Sequence, residues 1–153
     1  MPIFRSRILE TAGNKGSLLL MNIVLIAHDN KKELMVDLCI AYKAILQQHS
    51  LYATGTTASF ISDGAGLPVY RFSAGHMGGT QQIAARVSLN EMDLVIFLRD
   101  PVNPHAYEPD IDSLLKLCDM NNIPFATNIA TAEVLIKGLE RGDLHWREYI
   151  RKQ

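Results

Sequence analysis

Five short apolar runs recur along this chain, each stopping in polar residues and most leading into a segment with helical spacing. Ile23-Val24-Leu25-Ile26-Ala27 has no polar member, the pattern of a strand covered on both faces. Residues 31–48 then set Leu34, Leu38, Ala41, Ile45 and Leu46 at helical spacing. A short strand at 51–53 leads into a helix near 57–64, which Gly64 and Gly66 close. Val69 to Phe72 reads as a strand. After a glycine loop, a helix is expected from Thr80 to Leu89, with Thr80 as its N-cap. Asp93 to Leu98 is the next buried strand, and Asp110 to Met120 the next helix. Pro124 to Thr127 forms the last strand, Thr131 to Leu139 a helix, and His145 to Arg151 a short terminal one.

Strand and helix thus alternate about five times, which predicts an α/β fold: a three-layer, doubly wound, mostly parallel sheet of about five strands. In open parallel sheets, ligands sit beyond the carboxyl ends of the strands. The polar residues of this chain collect there: His28-Asp29, Thr54-Gly55-Thr56-Thr57, the loop Ser73 to Thr80, Arg99-Asp100, and Thr127-Asn128. The threonine stretch is the most informative. It lies where a strand stops and a helix begins, so unpaired N–H groups and the positive end of the helix dipole face outward. Gly55 admits close approach of the backbone, the hydroxyls add donors, and Lys32 follows His28 by one helical turn. The set suits a small phosphate-bearing ligand. No GxGxxG or Walker sequence is present, so nothing indicates a nucleotide.

Composition narrows the classes further. A chain of 153 residues is one ordinary domain with room for a core. Lys plus Arg number 15 against 16 for Asp plus Glu, so no global field favours nucleic acid or an anionic membrane. No apolar run is long enough to span a bilayer. Cys39 and Cys118 sit in apolar helical patterns and read as small buried side chains in a reducing, cytoplasmic compartment, with no support for a disulfide. Gly13, Asn14, Gly16 and Ser17 break any pattern near the start. Met21 is expected to begin a single folded unit, residues 21–153, with residues 1–20 a disordered extension or a misassigned start.

Four stretches together resemble methylglyoxal synthase: Ala27-His28-Asp29-Asn30-Lys31-Lys32, Leu51 through Thr57, Met77-Gly78-Gly79-Thr80-Gln81-Gln82, and Arg99-Asp100-Pro101 through Glu108-Pro109-Asp110. Pro124 to Asn128 fits as well, and the resemblance covers about residues 21 to 141. It implies a cofactor-free elimination: dihydroxyacetone phosphate loses a carbon-bound proton, an ene-diolate forms, and phosphate departs to leave methylglyoxal. It also implies a homohexamer. By resemblance Lys32, Thr54, Gly55, Thr56 and Thr57 hold the phosphate, Gly75 adds a backbone contact, and His28 binds the substrate beside them. Asp110, Asp29 and Asp100 match aspartates that line the family's site, and Arg147 or Arg151 stands for a C-terminal arginine that reaches the phosphate.

Three positions depart from the family pattern. Thr80 stands where Gly-Gly-Asp-Gln-Gln carries the carboxylate that removes the proton. Tyr107 replaces the histidine that positions and protonates the ene-diolate oxygens, and Ala74 replaces a serine beside the phosphate glycine. A threonine hydroxyl is far too weak a base to take a carbon proton near neutral pH. Asp29, Asp100 and Asp110 are the candidates to assume that role, while Tyr107 retains a hydroxyl able to donate to an oxyanion.

Each feature also has a plainer reading. Lys32 suits a solvated helix face, His28 a structural histidine, and Asp29 or Asp110 a helix cap. His49, His76 and His145 show no metal-ligand spacing, and Trp146 reads as a packing anchor. Two functional alternatives follow. One is a non-catalytic sensor of phosphorylated ligands, as in the similarly folded regulatory domain of carbamoyl phosphate synthetase. The other is an enzyme acting on a different phosphorylated sugar or acid through a displaced carboxylate.

Overall fold

The computed structural model describes residues 19–73, 78–104 and 110–151. The elements in chain order are β1 (Asn22–Ala27), a 3₁₀ turn (Asp29–Lys31), α1 (Lys32–Ala41), α2 (Lys43–Leu46), β2 (Ser50–Thr54) and α3 (Gly55–Ala65). After these come β3 (Tyr70–Phe72), α4 (Gly79–Ser88), β4 (Leu94–Leu98), α5 (Ile111–Asn121), β5 (Phe125–Ala126), α6 (Ile129–Arg141) and α7 (Trp146–Arg151). The five strands form one sheet in the order β3-β2-β1-β4-β5, and every pairing is parallel. The α/β expectation holds.

The period of two along a strand divides the core into two layers. Ile23 and Leu25 of β1 and Leu94, Ile96 and Leu98 of β4 face one side. There they pack with Met35, Leu38 and Cys39 of α1, Ile61 of α3 and Ile136 and Leu139 of α6. Val24 and Ile26, with Val95 and Phe97, face the other side and meet Ile83 and Val87 of α4 and Leu114 and Cys118 of α5. All five residues of β4 are buried, which is why its sequence is apolar without alternation. Both cysteines are free, and the sheet separates them. No helix among the described residues is long and apolar enough to cross a membrane.

Local details depart from the periodic pattern where tertiary contacts intervene. The helix expected over 31–48 breaks at Tyr42, which packs against the core and leaves α-helical geometry at φ −112°. The helix expected from Thr80 begins one residue earlier, and Thr80 is not its N-cap. Gly78 takes that position at φ +101°, a left-handed conformation open to glycine, and the Thr80 hydroxyl lies 2.9 Å from Gln81 Oε1. The last long helix likewise starts before Thr131, because Asn128 caps it by accepting from the Thr131 N–H at 3.0 Å.

Candidate active site

Strand order reverses between β1 and β4, since the chain leaves β1 toward β2 on one side and returns to β4 on the other. Open parallel sheets bind ligands at such a switch point, and here the His28 N–H donates to Leu98 O at 3.0 Å, joining the ends of β1 and β4. His28 is 7% exposed and caps the 3₁₀ turn, accepting the Asn30 N–H at Nδ1 over 3.0 Å. The plainer reading of Asp29 as the cap does not hold at this turn.

Lys32 opens α1 and is buried, at 7% exposure, against the reading of a solvated helix residue. Its Nζ lies 2.8 Å from Ala27 O, 3.4 Å from Thr57 Oγ1 and 3.1 Å from Asp29 Oδ1. The ammonium therefore joins the end of β1 to the first turn of α3. Thr54 is the N-cap residue of α3, half-buried, with extended backbone and no side-chain capping bond. The Gly55 N–H reaches Ser73 O at 3.4 Å, tying the ends of β2 and β3 together. Thr56 is exposed and Thr57 buried, so the two hydroxyls meet different surroundings.

The three candidate aspartates, Asp29, Asp100 and Asp110, are all engaged. Asp100 accepts from Asn30 Nδ2 at 3.1 Å through Oδ2, and from the Val102 and Asn103 N–H groups at 3.1 Å each through Oδ1. These bonds, that of the Asn30 amide foremost, lower its pKa to about 2. Asp110 caps α5, accepting the Asp112 N–H at 3.1 Å and the Ser113 hydroxyl at 2.7 Å. The Ser113 hydroxyl is the main cause of its lowered pKa. Asp29 is ion-paired with Lys32.

The structure thus brings His28, Asp29, Lys32, Thr57 and Asp100 to neighbouring strand ends, with Thr54, Gly55 and Thr56 on the adjoining turn. Thr80 lies in the first turn of α4 and Asp110 at the start of α5. Ala74, Gly75, His76 and Tyr107 lie outside the described residues. A surface cleft of about 500 Å³ lined by Asn22, Arg86, Leu89, Asn90, Glu91 and Ile150 occupies the opposite, amino-terminal rim. Segments 74–77 and 105–109, which adjoin the carboxyl rim in sequence, are outside the described residues.

Arg147 also lies at the amino-terminal rim, where it bonds Asp93 and the carbonyls of Met92, Asn121 and Asn122. Within the chain it does not reach the threonine turn; it anchors the tail, with the half-buried Trp146 ring 5.8 Å from its guanidinium. The side chain of Arg151 is outside the described residues. Asn30 was unassigned by its sequence, and only its position inside the His28–Lys32 motif marks it.

The chain is thus a doubly wound, all-parallel α/β domain with a lysine and a threonine turn at its switch point. Residues 34–127 match the family described as MGS-like domain, and the chain belongs to that family. Relatives named methylglyoxal synthase include that of Caldicellulosiruptor saccharolyticus, 61% identical over 130 residues covering 85% of this chain and 92% of the relative. That of Listeria welshimeri is 58% identical over 131 residues, covering 86% and 98%. The crystal structure of methylglyoxal synthase from Elizabethkingia anophelis superposes with a TM-score of 0.75 at 33% identity, covering 79% of this chain and 81% of that one.

Proposed function

We propose that this carboxyl rim binds dihydroxyacetone phosphate and eliminates its phosphate through an ene-diolate to give methylglyoxal, more slowly than the relatives that bear that name. The observation that carries the reading is the buried Lys32 ammonium, 3.4 Å from Thr57 Oγ1 at the start of α3. A phosphate entering there gains a cation, hydroxyl donors and the N-terminal N–H groups of a helix together. High identity to the methylglyoxal synthases supports the substrate. In this reading the cytoplasmic protein assembles as a homohexamer, as the family does.

The reduced rate follows from Thr80. Its hydroxyl engages Gln81 and cannot serve as the base that the family's carboxylate provides. General-base catalysis is worth about 10²–10⁴ in rate, and the loss has that size unless another group accepts the proton. Asp100 and Asp110 are poor replacements, because hydrogen bonds stabilise their ionised forms and lower their proton affinity. Tyr107 retains a donor for the ene-diolate oxygen.

This engagement of the carboxylates favours one alternative, a sensor that binds phosphorylated ligands without chemistry. Incubation with dihydroxyacetone phosphate, assayed for methylglyoxal and released phosphate, separates the two. Product above the no-enzyme rate supports the lyase; binding by calorimetry with no product supports the sensor. Absence of both overturns the triose-phosphate assignment.

A further inference from the structure

Asn30 engages two rim residues at once. Its backbone N–H donates to His28 Nδ1 at 3.0 Å, and its side-chain amide donates to Asp100 Oδ2 at 3.1 Å across 70 residues of sequence. An ionised carboxylate only accepts, so chemistry fixes which end of the amide faces Asp100. Asp100 is itself held from the β4 side by the Val102 and Asn103 N–H groups, 3.1 Å each. The 3₁₀ turn that carries Asn30 buries none of its own residues, so polar contacts rather than packing set its orientation. The bond from Asn30 to Asp100 thus pins this turn from the opposite side of the switch point.

A neutral imidazole that accepts at Nδ1 carries its proton on Nε2, the tautomer that donates from that atom. We propose that Asn30 is a positioning residue which, anchored by Asp100, holds His28 in its Nε2–H tautomer so that the ring donates to a carbonyl or hydroxyl oxygen of the substrate. The identity of that oxygen rests on the triose-phosphate reading above; the tautomer does not. The same contact is the first cause of the lowered pKa of Asp100, about 2, with the Asn103 and Val102 N–H groups adding to it.

The test is long-range ¹H–¹⁵N NMR of His28 in the full ligand-free chain, at about pH 8, well above the ordinary imidazole range. Wild type is compared with Asn30→Ala, Asn30→Asp, Asp100→Ala and the Asn30→Ala/Asp100→Ala double substitution. Asn30 is exposed and Asp100 half-buried, so these changes leave the core intact. Wild type is expected to show the Nε2–H tautomer. Each single substitution should shift His28 toward a tautomer mixture, and the double should go no further than either alone. Calorimetry should show affinity for dihydroxyacetone phosphate falling about tenfold in Asn30→Ala, the loss of one hydrogen bond, with affinity for inorganic phosphate nearly unchanged. A tautomer unaltered by the substitutions, or single effects that add in the double, overturns the proposal. Wild type that neither binds nor converts dihydroxyacetone phosphate removes the substrate assignment alone, since the tautomer comparison is made without ligand.

Discussion

Arg147 and Asp93 meet at 3.1 Å with side chains only 2% and 0% exposed, and the pair ties the C-terminal helix to the amino-terminal rim of the sheet. Asp93 Oδ2 also accepts the Asn22 N–H at 2.8 Å, so the start of β1, the entry to β4 and α7 converge on one carboxylate. Such a pair adds little net stability over an apolar replacement, because both charges leave water. Breaking it is another matter.

Arg147→Met removes the cation and leaves the Asp93 charge buried. Stability should fall by about 3–5 kcal/mol in urea denaturation, and adding Asp93→Asn should restore part of the loss. A midpoint unchanged by Arg147→Met rejects this account of the tail.

Lys32→Met deletes the ammonium at the threonine turn. A charge-assisted hydrogen bond contributes about 1.5–3 kcal/mol, so inorganic phosphate should bind about 10–100-fold more weakly by calorimetry. Undiminished binding would place the anion elsewhere.

His49 accepts the Met21 N–H at Nδ1 over 3.0 Å. Burial, and then the proximity of His145, lowers its pKa below the ordinary value of 6.5. The unfolded chain therefore takes up this proton more readily than the folded one. Its contribution to stability is present above about pH 6.5 and is lost as pH falls through that value toward the folded-state pKa. The melting temperature should drop between pH 7.5 and 5.5, and His49→Gln should flatten that dependence.

Thr80→Asp combined with Tyr107→His returns the family's base and histidine. Methylglyoxal formation should rise at least about 10²-fold over the unsubstituted chain. No rise means that the pocket has diverged beyond these positions, and the substrate assignment falls with it.

Strands were the most legible elements, because burial on both faces leaves unbroken runs such as Leu94-Val95-Ile96-Phe97-Leu98. Asp110 was legible as a helix start, since a cap acts within its own turn. Thr80 was misplaced as a cap because Gly78, at φ +101°, begins the helix ahead of it. For Lys32 the plainer reading of a solvated helix face fails, because its partners Ala27 and Thr57 lie on other elements, the latter 25 residues away.

The sequence by itself determined the succession of strands and helices and placed His28, Lys32 and the threonine turn at strand ends, since period and local turn chemistry act between near neighbours. Only the tertiary structure decided which polar groups find one another: Asn30 with Asp100, Lys32 with Thr57, and Arg147 with Asp93. A hydrogen bond or ion pair is a matter of a few ångströms between atoms that the chain order keeps far apart. Strand order, which no single segment encodes, sets those distances.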